Sequence, residues 1–183
     1  VQQPYPPMWI GAASENSVRG AARNGNNLLL AQVPTFETIG ETVAIYRDEL
    51  DKMGVEFDAS RVAVTRGLMV ANNDNERAEA HVLRGKFLTE VQSLATDPKF
   101  QSKTFVSAER HKNRGNPTDV SEAGAILGSS EEMIERVEKL YELGVRNILL
   151  HDLSGSFDAL QQFAEEVMPH FAGREGDAVQ AAE

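Results

Sequence analysis

Three small residues stand directly before two serines spaced three apart in Gly11-Ala12-Ala13-Ser14-Glu15-Asn16-Ser17. An apolar strand (Met8 to Ile10) leads into them, and a helix from Glu15 to Asn24 is expected to follow, stopped by Gly25. A strand that ends in small residues and feeds a helix leaves backbone N–H groups free under the positive end of the helix dipole. That pattern suits a phosphate, and the lack of bulk at Gly11, Ala12 and Ala13 lets one approach the main chain. The bland alternative is that Ser14 is a plain N-cap and Ser17 an exposed first-turn serine.

Other residues offer less. His151 ends the last expected strand, on the C-terminal rim where barrel active sites lie, yet neither a partner base nor a metal ligand is identifiable beside it. It reads as a packed or solvated histidine, with a rim role as the sharper alternative. His81, His111 and His170 lack the three- or four-residue spacing that two metal ligands on one helix face need, so no metal site is expected. The basic run Arg110-His111-Lys112-Asn113-Arg114-Gly115 reads as a solvated loop, or as a lid that attracts an anionic cofactor. Trp9, in mid-strand, is expected in the core rather than as a stacking platform. The chain has no G-x-G-x-x-G element, which tells against a dinucleotide Rossmann site.

The elements that must position these residues alternate in type. Strands are expected over residues 8–12, 28–31, 62–70 and 146–151. A helix from about Phe36 to Met53 carries Ile39, Val43, Tyr46 and Leu50 on one face and closes at Gly54. Asn73-Asp74-Asn75-Glu76 and Ser129-Ser130-Glu131-Glu132 read as capping boxes, the first for a long helix to about Ala95, the second for a helix ending at Gly144. Residues 97–123 read as a long loop or insertion, Ser156 as the opening of a last amphipathic helix, and 173–183 as a disordered tail. Alternation of this kind argues for a parallel sheet covered by helices. About four strands are present, whereas a closed (β/α)8 barrel needs eight.

The chain of 183 residues has 41% hydrophobic and 25% charged residues, an ordinary globular composition. Its net charge of −10 makes nucleic acid and anionic membranes poor partners. The absence of cysteine excludes disulfides, thiolate nucleophiles and thiolate–metal centres. No apolar run approaches the roughly 20 residues of a membrane span. No leader of basic then apolar residues is visible, so the cytoplasm is the expected compartment.

Pro7-Met8-Trp9-Ile10-Gly11-Ala12-Ala13-Ser14-Glu15-Asn16-Ser17, with Ala21-Ala22-Arg23-Asn24-Gly25, resembles the fifth strand and following helix of luciferase-like flavin-dependent monooxygenases. Gly128 to Glu132 running on through Tyr141 to Val145 resembles the helix before that family's eighth strand. Phe163 to Phe171 resembles its closing helix. The likeness spans most of residues 4–172 and corresponds to the C-terminal half of a (β/α)8 TIM barrel, with only about the last four β/α units present. It implies a site for reduced FMN, or in a sister branch F420, with the cofactor phosphate held at Gly11, Ala13, Ser14 and Ser17. It further implies O2 and a small organic substrate, and in two-component members a separate flavin reductase. Glu15 departs from the family's Pro or small neutral residue and would repel a phosphate unless Arg19, one turn on, pairs with it. A half-barrel leaves sheet edges and an apolar inner face open, so a homo-oligomer or pairing with the other half is expected. A flavin-free half-barrel binding module and an unrelated small α/β phosphate-binding protein are the competing readings.

Overall fold

The computed structural model describes residues 6–96, 117–155 and 157–174. The order is β1 (Trp9–Gly11), α1 (Glu15–Arg23), β2 (Asn27–Leu30), α2 (Phe36–Lys52), β3 (Val62–Val70), α3 (Asp74–Thr96), α4 (Pro117–Gly124), β4 (Ile126–Gly128), α5 (Ser130–Glu142), β5 (Asn147–Asp152) and α6 (Asp158–Gln162). Every strand pairing is parallel. One register row runs through Gly11, Leu29, Ala63 and Asn147, and another joins Gly67 to His151. This is the partial barrel sheet that the alternation predicts.

The helices begin and end where the chain supplies caps. Ser14 and Ser17 close a capping box on α1, Thr35 accepts from Thr38 N on α2, and Ser129 with Glu132 forms a second box on α5. At the start of α3 the box is displaced by one residue. Asn73 Oδ1 accepts from Glu76 N, but Glu76 returns its bond to Asn72 N. Gly25 and Gly144 take positive φ just past α1 and α5, which side chains resist there.

Alternation along the strands separates two faces. Leu28, Leu30, Val62, Val64 and Leu68 turn toward α1, α2 and α5, where Val18, Ile39, Val43, Tyr46, Met133 and Leu140 complete the main core. On the other face Met69 meets Ala80 of α3, with Ala125 and Leu127, in a smaller cluster. That second face is the inside of the barrel. It carries Trp9 and Leu149, which are 37% and 48% exposed.

Four expectations are corrected. Residues 117–123 are not loop, because Pro117 starts an eight-residue helix at the first-turn position that proline suits. Ile126–Gly128 forms a strand that the apolar spacing did not reveal. Leu68 is matched to both Ile126 and Asp152, and a strand has two edges, so β4 takes the edge that β2 holds lower down. Trp9 is on the open inner face rather than in the core, since its neighbour Ile10 takes the core side. The closing helix is α-helical only over Asp158–Gln162 and then changes pitch over Phe163–Val167 and Met168–Phe171. Ser156, the basic run 110–115 and residues 175–183 lie outside the described residues, whereas Arg174 is placed, donating to Glu138 at 2.7 Å.

An ion network joins α1 to α2. Glu49, 6% exposed, accepts from Arg23 Nε at 2.5 Å and Arg19 Nη1 at 2.8 Å. Arg19 also meets Glu15 and Asp48, and Lys52 meets Asp48. Arg23 and then Arg19 hold the Glu49 carboxyl below the usual carboxylate range. A depressed acid contributes stability above its unfolded pKa of about 4.3 and loses it as pH falls through the folded value. Melting temperature should therefore be level above about pH 5 and fall below it. Glu49→Gln should lower Tm at pH 7 and flatten the acid limb; an unchanged limb would remove Glu49 from the acid response.

Gly128 has φ +131°, and a Cβ there would strike the Glu132 carboxylate that caps α5. Gly128→Ala should cost about 1–3 kcal/mol, read as a drop in Tm of roughly 2–4 °C per kcal/mol. Gly11→Ala, with nothing within 4 Å of its built Cβ, should leave Tm unchanged.

Candidate functional site

The C-terminal ends of β1, β2, β3 and β5 share one rim. At β1 the chain turns through Gly11 to Ala13 into α1, with Gly11 and Ala13 exposed and Ala12 buried. Ser17 N donates to Ser14 Oγ at 3.2 Å, and Ser14 N donates to Ser17 Oγ at 3.0 Å. The hydroxyls are 2.9 Å apart, and Ser17 Oγ donates to Ser14 O at 2.8 Å. The two backbone bonds fix both oxygens, so either hydroxyl can turn its proton outward without moving the helix. The N–H groups of Glu15 and Asn16 make no hydrogen bond to any described residue. Free N–H groups at a helix start are a ready anion cradle.

Glu15 does not oppose such a site. Its carboxylate lies along the helix and accepts Arg19 Nε at 2.9 Å. Glu15, Asp48 and Glu49 are matched by Arg19, Arg23 and Lys52, so the network is neutral as a whole.

At β2 the ladder to β3 stops at Leu30 opposite Val64, and residues 31–34 leave the sheet. The carbonyls of Ala31, Gln32 and Pro34 are taken by two wholly buried arginines. Arg66 of β3, on the core face near the Phe36 ring, donates to Ala31 O at 3.2 Å and Pro34 O at 2.9 Å. Arg84 of α3 comes from the inner face and donates to Gln32 Oε1 at 2.8 Å and Gln32 O at 3.2 Å. Its guanidinium meets Gly67 by its Nη1 end, where a Cβ would stand 2.5 Å from Nη1. Neither arginine meets a carboxylate among the described residues, and the Nε of each is buried without a partner. Burial, with mutual repulsion at Arg66, pushes both pKa values down to about 10, which leaves both charged at neutral pH.

His151 stands beside Gly67 on β5, exposed on the inner face, with its ring 5.1 Å edge-on to Phe87 of α3. Among the described residues no group of His, Asp or Glu that could hold a metal ion occurs. A shallow cleft of about 260 Å³ opens between α3 and the β5–α6 connection, floored by Met69 and Ala80 and edged by Glu76, Glu79 and Asp158.

Ser14, Ser17, Gly11 and Ala13 thus form one turn, and His151 sits on the same rim two strands beyond β2. Gln32, Arg84 and Phe87 were not singled out from sequence. The one available signal was Gly67, a glycine inside a Val- and Thr-rich strand, which marks close approach by another group.

A model of the luciferase-like monooxygenase family matches residues 1–147. The uncharacterized protein y4vJ of Sinorhizobium fredii is 25% identical over 161 residues, covering 86% of this chain and 46% of its own. Three solved structures share the fold. Monooxygenase RslO1 from Streptomyces bottropensis has a TM-score of 0.63 at 20% identity, over 93% of this chain and 50% of its own. An F420-dependent secondary alcohol dehydrogenase in complex with an F420–acetone adduct has 0.60 at 16%, over 92% and 48%. The oxygenating constituent of 3,6-diketocamphane monooxygenase from Pseudomonas putida, in complex with FMN, has 0.61 at 15%, over 90% and 48%. The chain spans about half the length of each of these proteins. It belongs to the luciferase-like monooxygenase family and carries half of a barrel of that type.

Proposed function

We propose that this chain provides the cofactor-phosphate half of a flavin-dependent oxidoreductase that uses reduced FMN and O2 to oxygenate a small organic substrate. The observation that carries this reading is the start of α1. Two unbonded N–H groups, two serine hydroxyls and an unobstructed main chain at Gly11 converge there, with Glu15 neutralised by Arg19. A phosphate fits that donor set, which offers donors only once the hydroxyls turn outward. The structural neighbour in complex with FMN supports reading that phosphate as FMN's. F420 carries a phosphate on the same ribityl chain, and the F420-dependent neighbour keeps it as the second reading.

When bound, reduced FMN supplies the electrons for O2 reduction. The chain's part would be to hold the phosphate with Ser14, Ser17 and the α1 amides, which would leave the open inner face beside β3 and β5 available to the ring. There Phe87 and His151 limit the access of water, and the cleft beside Met69 has room for an organic group. A separate reductase would deliver the reduced flavin, and the other half of the barrel, from a longer chain or a second copy, would close the pocket.

Ser14→Ala should weaken FMN binding about tenfold, the value of one hydrogen bond to a charged group at roughly 1.5–3 kcal/mol. Riboflavin, which lacks the phosphate, should lose far less. Calorimetric titration with both ligands checks this, and equal weakening would place the phosphate elsewhere. Loss of the cap should also lower stability by about 1 kcal/mol, so the ligand difference is the decisive quantity. Repeating the titration with F420 separates the two cofactors.

A further inference from the structure

Gln32 brings to the barrel mouth a donor that the chain itself does not use. A guanidinium has donors and no acceptor, so Arg84 dictates which way the Gln32 amide faces: oxygen inward, nitrogen away. The bond from Arg84 Nη2 to Gln32 O holds the residue by its backbone as well. Nε2 makes no hydrogen bond to any described residue and is not among the sealed, partnerless atoms. Its two N–H groups therefore open onto the rim.

The register fixes where that rim position lies. Gly11, Leu29, Ala63 and Asn147 share one row across the sheet. Ser14 and Gln32 each come three residues after that row, and Gly67 and His151 each come four. Strand order places Gln32, on the exit of β2, between the α1 turn and the Gly67–His151 pair. The Arg84 guanidinium that holds the Gln32 amide reaches Gly67 on β3, the strand next to β2. A cofactor anchored by phosphate at Ser14 and extended across the sheet meets Gln32 before it meets His151.

We propose that Gln32, oriented by Arg84, donates a hydrogen bond to the pyrimidine edge of the cofactor ring and makes the site prefer the reduced, anionic ring to the oxidised, neutral one. Two-electron reduction with uptake of one proton leaves a negative charge on that edge. Hydrogen bonds to an ionised acceptor are roughly twice as strong as those to a neutral one. The buried guanidinium behind the amide has no carboxylate to cancel it among the described residues, and it polarises the N–H groups in the same direction. Arg84 itself is fully buried and does not touch the ligand; it is a positioning residue. The inference rests on the phosphate site proposed above.

The test is anaerobic titration of the full chain with oxidised FMN and with dithionite-reduced FMN. Wild type should bind the reduced form more tightly. Gln32→Glu keeps an oxygen for Arg84 and replaces the donor by an acceptor. It should leave oxidised FMN within about twofold and weaken reduced FMN about tenfold or more, lowering the midpoint potential of the bound couple by about 30 mV per tenfold. Gln32→Met removes the donor without adding charge and should show the same preference for loss of the reduced form, to a smaller degree. Tm measured alongside confirms that both variants fold. Equal weakening of both redox forms, or an effect of Gln32→Glu with none from Gln32→Met, would overturn the proposal. Riboflavin separates this claim from the phosphate site: its reduced-form preference should respond to Gln32 and not to Ser14, so either claim can fail alone.

Discussion

The structure turns on the point where β2 leaves the sheet. Beyond Leu30 the chain has backbone carbonyls with no partner in the ladder to β3. Arg66 from the core face and Arg84 from the inner face supply donors to Ala31, Gln32 and Pro34. Taking two guanidiniums out of water costs several kcal/mol each, and here no carboxylate offsets it among the described residues. Arginine is the side chain suited to this position, because its planar fork reaches two acceptors at once and stays charged even with the pKa drawn down to about 10. The exit of β2 opens room for β4 on the upper edge of β3, and it aims Gln32 at the rim.

The same constraint joins folding to chemistry. Arg84 can lie on Gly67 only because that residue has no Cβ, and its helix then covers the inner face with Ala80, Phe87 and the cleft beside Met69. The rim has the capped α1 turn at one end and a polar and aromatic group of Gln32, Phe87 and His151 at the other. Trp9 and Leu149 leave the face between partly open.

Much of this was legible in the sequence. The capping residues Ser14, Thr35 and Ser129 and the stop glycines Gly25, Gly54 and Gly144 mark helix ends by local chemistry, and the four longer apolar runs emerge as parallel strands. β4 escaped because three residues carry no period, and α4 because eight residues behind Pro117 offer barely two turns. The face of Trp9 is not legible because a strand of three residues is too short for alternation to declare it. The pairing of Gln32 with Arg84 spans 52 positions and involves residues that are each ordinary in isolation. Only the fold brings them together. The turn from Gly11 to Ser17, by contrast, is a local motif, and its residues fall within seven positions.

The central claim is that the rim from α1 to Gln32 receives a phosphorylated flavin. Amide NMR of the chain during titration with FMN tests it most directly. The account requires the largest shifts at the backbone N–H groups of Glu15, Asn16 and Ser17 and at the side-chain amide of Gln32. Shifts confined to other helix starts, such as Ser130 to Glu132, or to the cleft edge at Glu79 and Leu83 with the α1 turn unmoved, would contradict it.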